Sequence, residues 1–304
     1  MGFLPYLSNE MYKVIKNWKR ILCSITLTVV IFSSISCIAQ KNWDCILGLN
    51  ADDFYLRYFG PILCHLAGLA FVNLLLNIFY EFKFGAIEEF RSIRNWPWEK
   101  DPISWNKLYR RTFYNYLINQ CLVLPIHAFI FLSLREAFKT STNELPGLEE
   151  LFTQLIFFHF CKDVFLYFEH IVIHKEQFYF LHKVHHEYTD VIGISSEYFH
   201  PVEYFFILTA NIFGPILLGG KTHIFTVCIW YMTSVYDNVL QNYSGYNFPL
   251  RPQGILPFSN EPNYHYYHQQ QKNKGAFSFY YNFFDRFLGL DSDYNVDMRK
   301  LKEM

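Results

Sequence analysis

Between Asp163 and His186 the chain reads DVFLYFEHIVIHKEQFYFLHKVHH. His170 and His174 stand at i and i+4, so a helix carries both imidazoles on one face. His182, His185 and His186 stand at i, i+3 and i+4, which in a second short helical segment is again one face. A third pair, His265 and His268, follows. Neutral imidazole is a borderline ligand suited to iron, zinc or copper. Five histidines on two adjacent faces can begin to hold two ions. Scattered surface histidines would not show both spacings together.

The elements that position these residues must sit in an oily chain. Of 304 residues, 52% are hydrophobic, 17% are charged and 20% are aromatic. That balance excludes an ordinary soluble domain and makes the lipid bilayer the first partner, with aromatics suited to its interfaces. A net charge of -1 gives no reason to expect nucleic acid. The seven cysteines form no C-x-x-C pair, so they are expected as buried thiols. His65, His127, His159 and His223 lie in apolar runs without a partner at ligand spacing, and are expected as hydrogen-bonded helix residues.

Hydropathy predicts an all-α polytopic membrane protein with about four transmembrane helices plus a helical hairpin. Residues 1–49 form a basic N-terminal segment and a first membrane helix over Ile21–Ala39. Residues 50–304 form the remaining membrane domain. Further apolar runs cover Phe59–Phe79, Phe113–Leu134 (with Pro125 as an expected kink) and a stretch from Leu151 into the His170 helix. Gly68 and Asn73 in the second run point to packing against other helices. Tyr204–Val239, with Gly214, Pro215, Gly219 and Gly220 near its middle, reads as the hairpin. The basic segments are the N-terminus and Tyr80–Arg111. The positive-inside rule puts both on the cytosolic side or its equivalent, and the histidine clusters with them.

The order of motifs resembles the membrane fatty acid hydroxylase and sterol desaturase superfamily. H-x-x-x-H at His170, H-x-x-H-H at His182 and a later H-x-x-H at His265 match its histidine boxes. Asp163 lies seven residues before His170, as in the C4-methylsterol oxidase subfamily, which the motifs resemble most. LHKVHHEY (Leu181–Tyr188), SEYFHPVE (Ser196–Glu203), SGYNFP (Ser244–Pro249) and FDRFLG (Phe284–Gly289) continue in the same order. The resemblance implies a di-iron oxidoreductase that inserts oxygen from O2 into a sterol or fatty-acyl lipid. Its implied location is the endoplasmic reticulum, with the mitochondrial inner membrane as the alternative. The K-x-K-x-x form of Lys300–Met304 suits the first address and the basic first 20 residues suit the second.

The resemblance implies seven remaining ligands: His170, His174, His182, His185, His186, His265 and His268. Two family ligand positions are changed, to Tyr243 and Gln269. Neither phenol nor amide replaces a neutral imidazole well. The expectation is therefore one weakened or empty position, with a single ion or none bound. A pseudoenzyme serving as a structural or partner-binding subunit of a larger membrane complex is set against an active monooxygenase. Carboxylates are needed to orient ligating imidazoles. Asp163 and Glu169 are the candidates, Asp163 favoured because it lies on the His170 face, with capping or pairing as its other possible role. His200, in the H-P-V-E segment, is either structural or lines the site.

Overall fold

A computed structural model describes residues 53–132, 145–248, 258–271 and 275–303, with Leu22, Thr26 and Trp43 as isolated positions. The expected first membrane helix, Ile21–Ala39, falls almost wholly outside them. In chain order the helices are α1 (Asp53–Phe82), α2 (Gly85–Glu88), α3 (Pro97–Lys100), α4 (Pro102–Ile118), α5 (Leu124–Leu132), α6 (Leu148–Ile173), α7 (Tyr179–His182), α8 (Pro201–Leu218), α9 (Ile224–Asn238), α10 (Pro262–Gln271), α11 (Phe283–Leu288) and α12 (Ser292–Glu303). Among the described residues there is no strand, only the isolated bridges Arg91–Tyr246 and Ser259–Tyr281.

Two described helices are long and apolar enough to cross a bilayer: Tyr55–Phe82, with mean hydropathy 2.1, and Pro201–Lys221, with 1.5. The other two expected spans differ for identifiable reasons. Pro125 has no N–H to give to Cys121 and its ring crowds that carbonyl. The helix widens there into a π-helical turn, Asn119–Val123, instead of simply kinking. This turn splits the third apolar run between α4 and α5. The fourth run, α6, carries Lys162, Asp163 and Glu169, two of them fully buried. Its opposite side still shows Ile156, Phe160, Phe168 and Val172 to the surroundings, all on one face at multiples of four residues.

Where the hairpin is expected, two helices, α8 and α9, are joined by a tight turn. α8 starts where the ring of Pro201 occupies N1 and His200 Nδ1 accepts from the Val202 amide at 3.3 Å. It ends at Gly219 (φ 53°), and α9 begins with His223 Nδ1 accepting from the Phe225 amide at 3.1 Å. α9 packs along α1, and α8 along α6. Gly68 sets the first of these approaches: a Cβ there would lie 2.9 Å from the Met232 carbonyl oxygen. Leu151, Leu155, Phe158, Ile212 and Trp230 form one core between α6, α8 and α9. Val72, Leu76, Trp96, Tyr188 and Tyr246 form a second, which ties the connector after α1 to the histidine-bearing segments.

Candidate metal centre

α6 delivers His170 from its last turn and His174 at its C-cap. The next histidines do not share one helical face. α7 stops at His182, and a 3-10 turn follows at His185–Glu187. The tighter turn keeps His186 beside His182, with Nε2 atoms 3.0 Å apart, and sends His185 the other way. α10 supplies His265, His268 and Gln269. The π-helical turn Val239–Tyr243 after α9 supplies Tyr243.

These side chains sort into two poles. At the first, His170, His174, His182 and His268 bring one nitrogen each within 4.8 Å of one another. The Nε2 separations are 3.2 Å for His170–His182, 3.1 Å for His170–His174 and 3.2 Å for His174–His268. His186 completes this pole, its ring centroid 5.1 Å from that of His268. Backbone carbonyls settle two of the tautomers. His170 Nδ1–H donates to Phe277 O at 2.7 Å, and His268 Nδ1–H to Gly275 O at 3.2 Å. Their Nε2 lone pairs therefore point inward. His182 Nδ1 is 2.6 Å from Glu203 Oε1, which orients His182 in the same way.

Lone pairs converging at this spacing repel unless a cation lies among them. An ion bound tetrahedrally at about 2.0–2.1 Å from each nitrogen would set nitrogen separations near 3.3 Å. The residues fit a metal ion. Burial, reinforced by neighbouring histidines, pushes the His182 and His268 imidazoles well below their ordinary pKa, so both are neutral donors near pH 7.

The second pole holds His185, His265, Tyr243 and Gln269. Tyr243 is fully buried, its hydroxyl 3.4 Å from His185 Nε2. The Gln269 amide nitrogen makes a hydrogen-bond contact with that same nitrogen. His265 Nε2 and Gln269 Oε1 are buried and have no hydrogen-bond partner among the described residues. The His185 ring stacks on Phe199 at 4.5 Å. Burial, then the negative charges of Glu203 and Glu197, push the Tyr243 phenol well above its ordinary pKa, so it remains neutral and a weak ligand. This pole fits a second ion less well than the first.

Asp163 does not touch an imidazole. Its Oδ1 accepts from the Tyr280 amide at 3.0 Å, which pins the loop whose Phe277 carbonyl holds His170. Asp285, in the FDRFLG segment, anchors the same loop, accepting from the Ser278 amide at 2.8 Å and the Tyr264 hydroxyl at 2.7 Å. Gly275 sits at φ +78°, and a Cβ there would lie 1.9 Å from Leu290 O. Glu169 stands beside Glu203, and its Oε1 is buried with no hydrogen-bond partner among the described residues. Glu203 is the residue the motif reading missed. The H-P-V-E segment drew attention to His200, which caps α8, while the carboxylate three residues on faces His182. His65, His127, His159 and His223 all stand apart from both poles. His65 pairs with Glu197 at 3.5 Å and His127 with Thr209 at 3.2 Å, as expected of helix histidines.

A family model for fatty acid hydroxylases matches residues 155–290. The chain is 30% identical over 260 residues to the rice (Oryza sativa subsp. indica) very-long-chain aldehyde decarbonylase GL1-8, covering 84% of this chain and 92% of that one. It belongs to the fatty acid hydroxylase family. Methylsterol monooxygenase 2-2 of Arabidopsis thaliana is 28% identical, with 87% of this chain and 96% of that one covered. C-4 methylsterol oxidase erg25 of Schizosaccharomyces pombe is 31% identical over 49% of this chain and 51% of its own length. No solved structure matches the chain. The family match spans all the histidines of both poles.

Proposed function

We propose that this chain is a bilayer-embedded member of the fatty acid hydroxylase family with a lopsided metal centre. One ion is held at the pole of His170, His174, His182, His186 and His268, and the second position is weakened or closed. The observation that carries this is the convergence of both substituted positions, Tyr243 and Gln269, on one nitrogen of His185. Had they fallen at opposite poles, both ions would be compromised. Falling together, they leave one pole whole.

A bound iron pair in this family supplies the oxidising power to open an unactivated C–H bond with O2 and external electrons. The chain's own residues bind and orient. Phe277, Gly275 and Glu203 aim imidazoles inward, and buried aromatic walls at Phe199 and Phe279 exclude water. With one position impaired, oxygen insertion is impaired too. The retained helices then serve a structural or partner-binding role in a membrane assembly of the endoplasmic reticulum. Four membrane passes with the hairpin returning to the same side would place both poles on the cytosolic face, as the basic connector suggests.

Metal analysis of the full chain purified in detergent tests this. One ion per chain is expected, rising to two in the Tyr243→His, Gln269→His double variant. Two irons per wild-type chain with lipid turnover would sink it. That outcome would favour the second reading, an active O2-dependent monooxygenase acting on a sterol or fatty-acyl lipid, which the intact first pole and the methylsterol monooxygenase relatives support.

A further inference from the structure

Three histidines at the complete pole have their outer nitrogens held, and the holders differ in charge. His170 and His268 lean on neutral backbone carbonyls. His182 leans on a carboxylate: Glu203 Oε1 is 2.6 Å from its Nδ1, and both side chains are 1% exposed. Glu203 Oε2 is buried and has no hydrogen-bond partner among the described residues. A carbonyl fixes a tautomer. A carboxylate fixes the tautomer, makes the far nitrogen a stronger donor and counters the charge of an ion bound there. A buried carboxylate left half-satisfied is costly in a metal-free protein, and a cation on the other nitrogen of the same ring offsets that cost.

We infer that Glu203 is the positioning residue of this centre, supplying through His182 the anionic support that the carbonyls cannot. This inference rests on the proposal that the first pole binds an ion. It also ties the ion to the hairpin, because Glu203 stands in the first turn of α8. Distortion of α8 would be felt at His182 through one short contact.

Cobalt(II) titration of the full chain in detergent, followed by visible absorption, tests the role. Glu203→Gln keeps the volume and removes the charge. It is expected to weaken cobalt binding about 10–100-fold and to shift the absorption of the bound ion. Its metal-free form should melt no lower than wild type, because a half-satisfied buried charge is gone. Glu203→Asp, which keeps the charge on a shorter arm, should recover part of the affinity. Glu197→Gln, which also removes a buried charge but at a side chain paired with His65 and Gln120 and with no imidazole of this pole, should bind cobalt within about threefold of wild type. Equal binding by wild type and Glu203→Gln overturns the role of Glu203, as does a Glu203→Asp variant no better than Glu203→Gln. A wild-type chain that takes up no cobalt overturns the underlying metal proposal, and this inference with it.

Discussion

Two poles of one histidine cluster, sharing α10 and the 3-10 turn His185–Glu187, have different donor chemistry. At the first, His170, His182 and His268 have their Nδ1 atoms held, so their Nε2 lone pairs turn inward, 3.2 Å apart between His170 and His182. At the second, a phenol and an amide press on His185, while His265 Nε2 stays unanswered. A nitrogen that already receives a hydrogen bond is no longer free to bind an ion. The comparison teaches that ligand loss is not uniform damage. What matters is where the substituted side chains meet, and whether the imidazoles left behind still share a common point.

The largest expected effect separates the poles directly. His170→Ala should lower metal affinity by roughly a hundredfold or more, judged against the 10–100-fold typical of merely supporting groups. His265→Ala should leave it within about threefold. Equal losses in the two variants, measured by equilibrium metal binding, would erase the distinction. Acid should act next. Burial pushes His265 from its ordinary 6.5 down to about 3, and His182, His185 and His268 also well down. Between those values the unfolded chain binds protons that the fold excludes, so stability is fully present above 6.5 and is lost as pH falls toward 3. Thermal melts of the metal-free chain should show this slope, and loaded chain should release its ion over the same direction of pH. A melting temperature flat between pH 7 and 4 would count against neutral buried imidazoles.

A smaller effect is expected at the loop whose carbonyls hold the first pole. Asp163→Ala leaves the buried Tyr280 amide without its acceptor, at about 1–3 kcal/mol, and loosens the carbonyl that holds His170. Chemical denaturation would measure it, with Asp163→Asn predicted to lose less. The smallest belongs to His200→Ala, which removes a cap from α8 and should cost about 1 kcal/mol without altering metal binding. Weakened binding there would mean that His200 lines the site after all.

Much of the centre is legible in the sequence. The i and i+4 spacing of His170 and His174 needs only a helix, and α6 provides one. Gly68 and the small residues near the hairpin's middle announced close packing and a turn. Other features were not legible. His182, His185 and His186 have a helical spacing, yet α7 ends after one turn and the 3-10 turn splits them between poles. Asp163 has the right face for a histidine, but a loop more than a hundred residues later claims it. Glu203 carried no spacing signal at all, since its partner His182 sits across the segment that bridges to α8.

The sequence by itself determined the donors available, the family they belong to, and the two positions where imidazole is replaced. These are matters of residue type and local period, which one helix turn can express. Only the tertiary structure decided that both replacements fall on His185, that His186 joins the complete pole, and that Glu203 faces His182. Those outcomes depend on how α6, α8 and α10 pack and on where a short helix tightens. Contacts across 20 to 100 residues are set by packing of buried surfaces, and no local period encodes them.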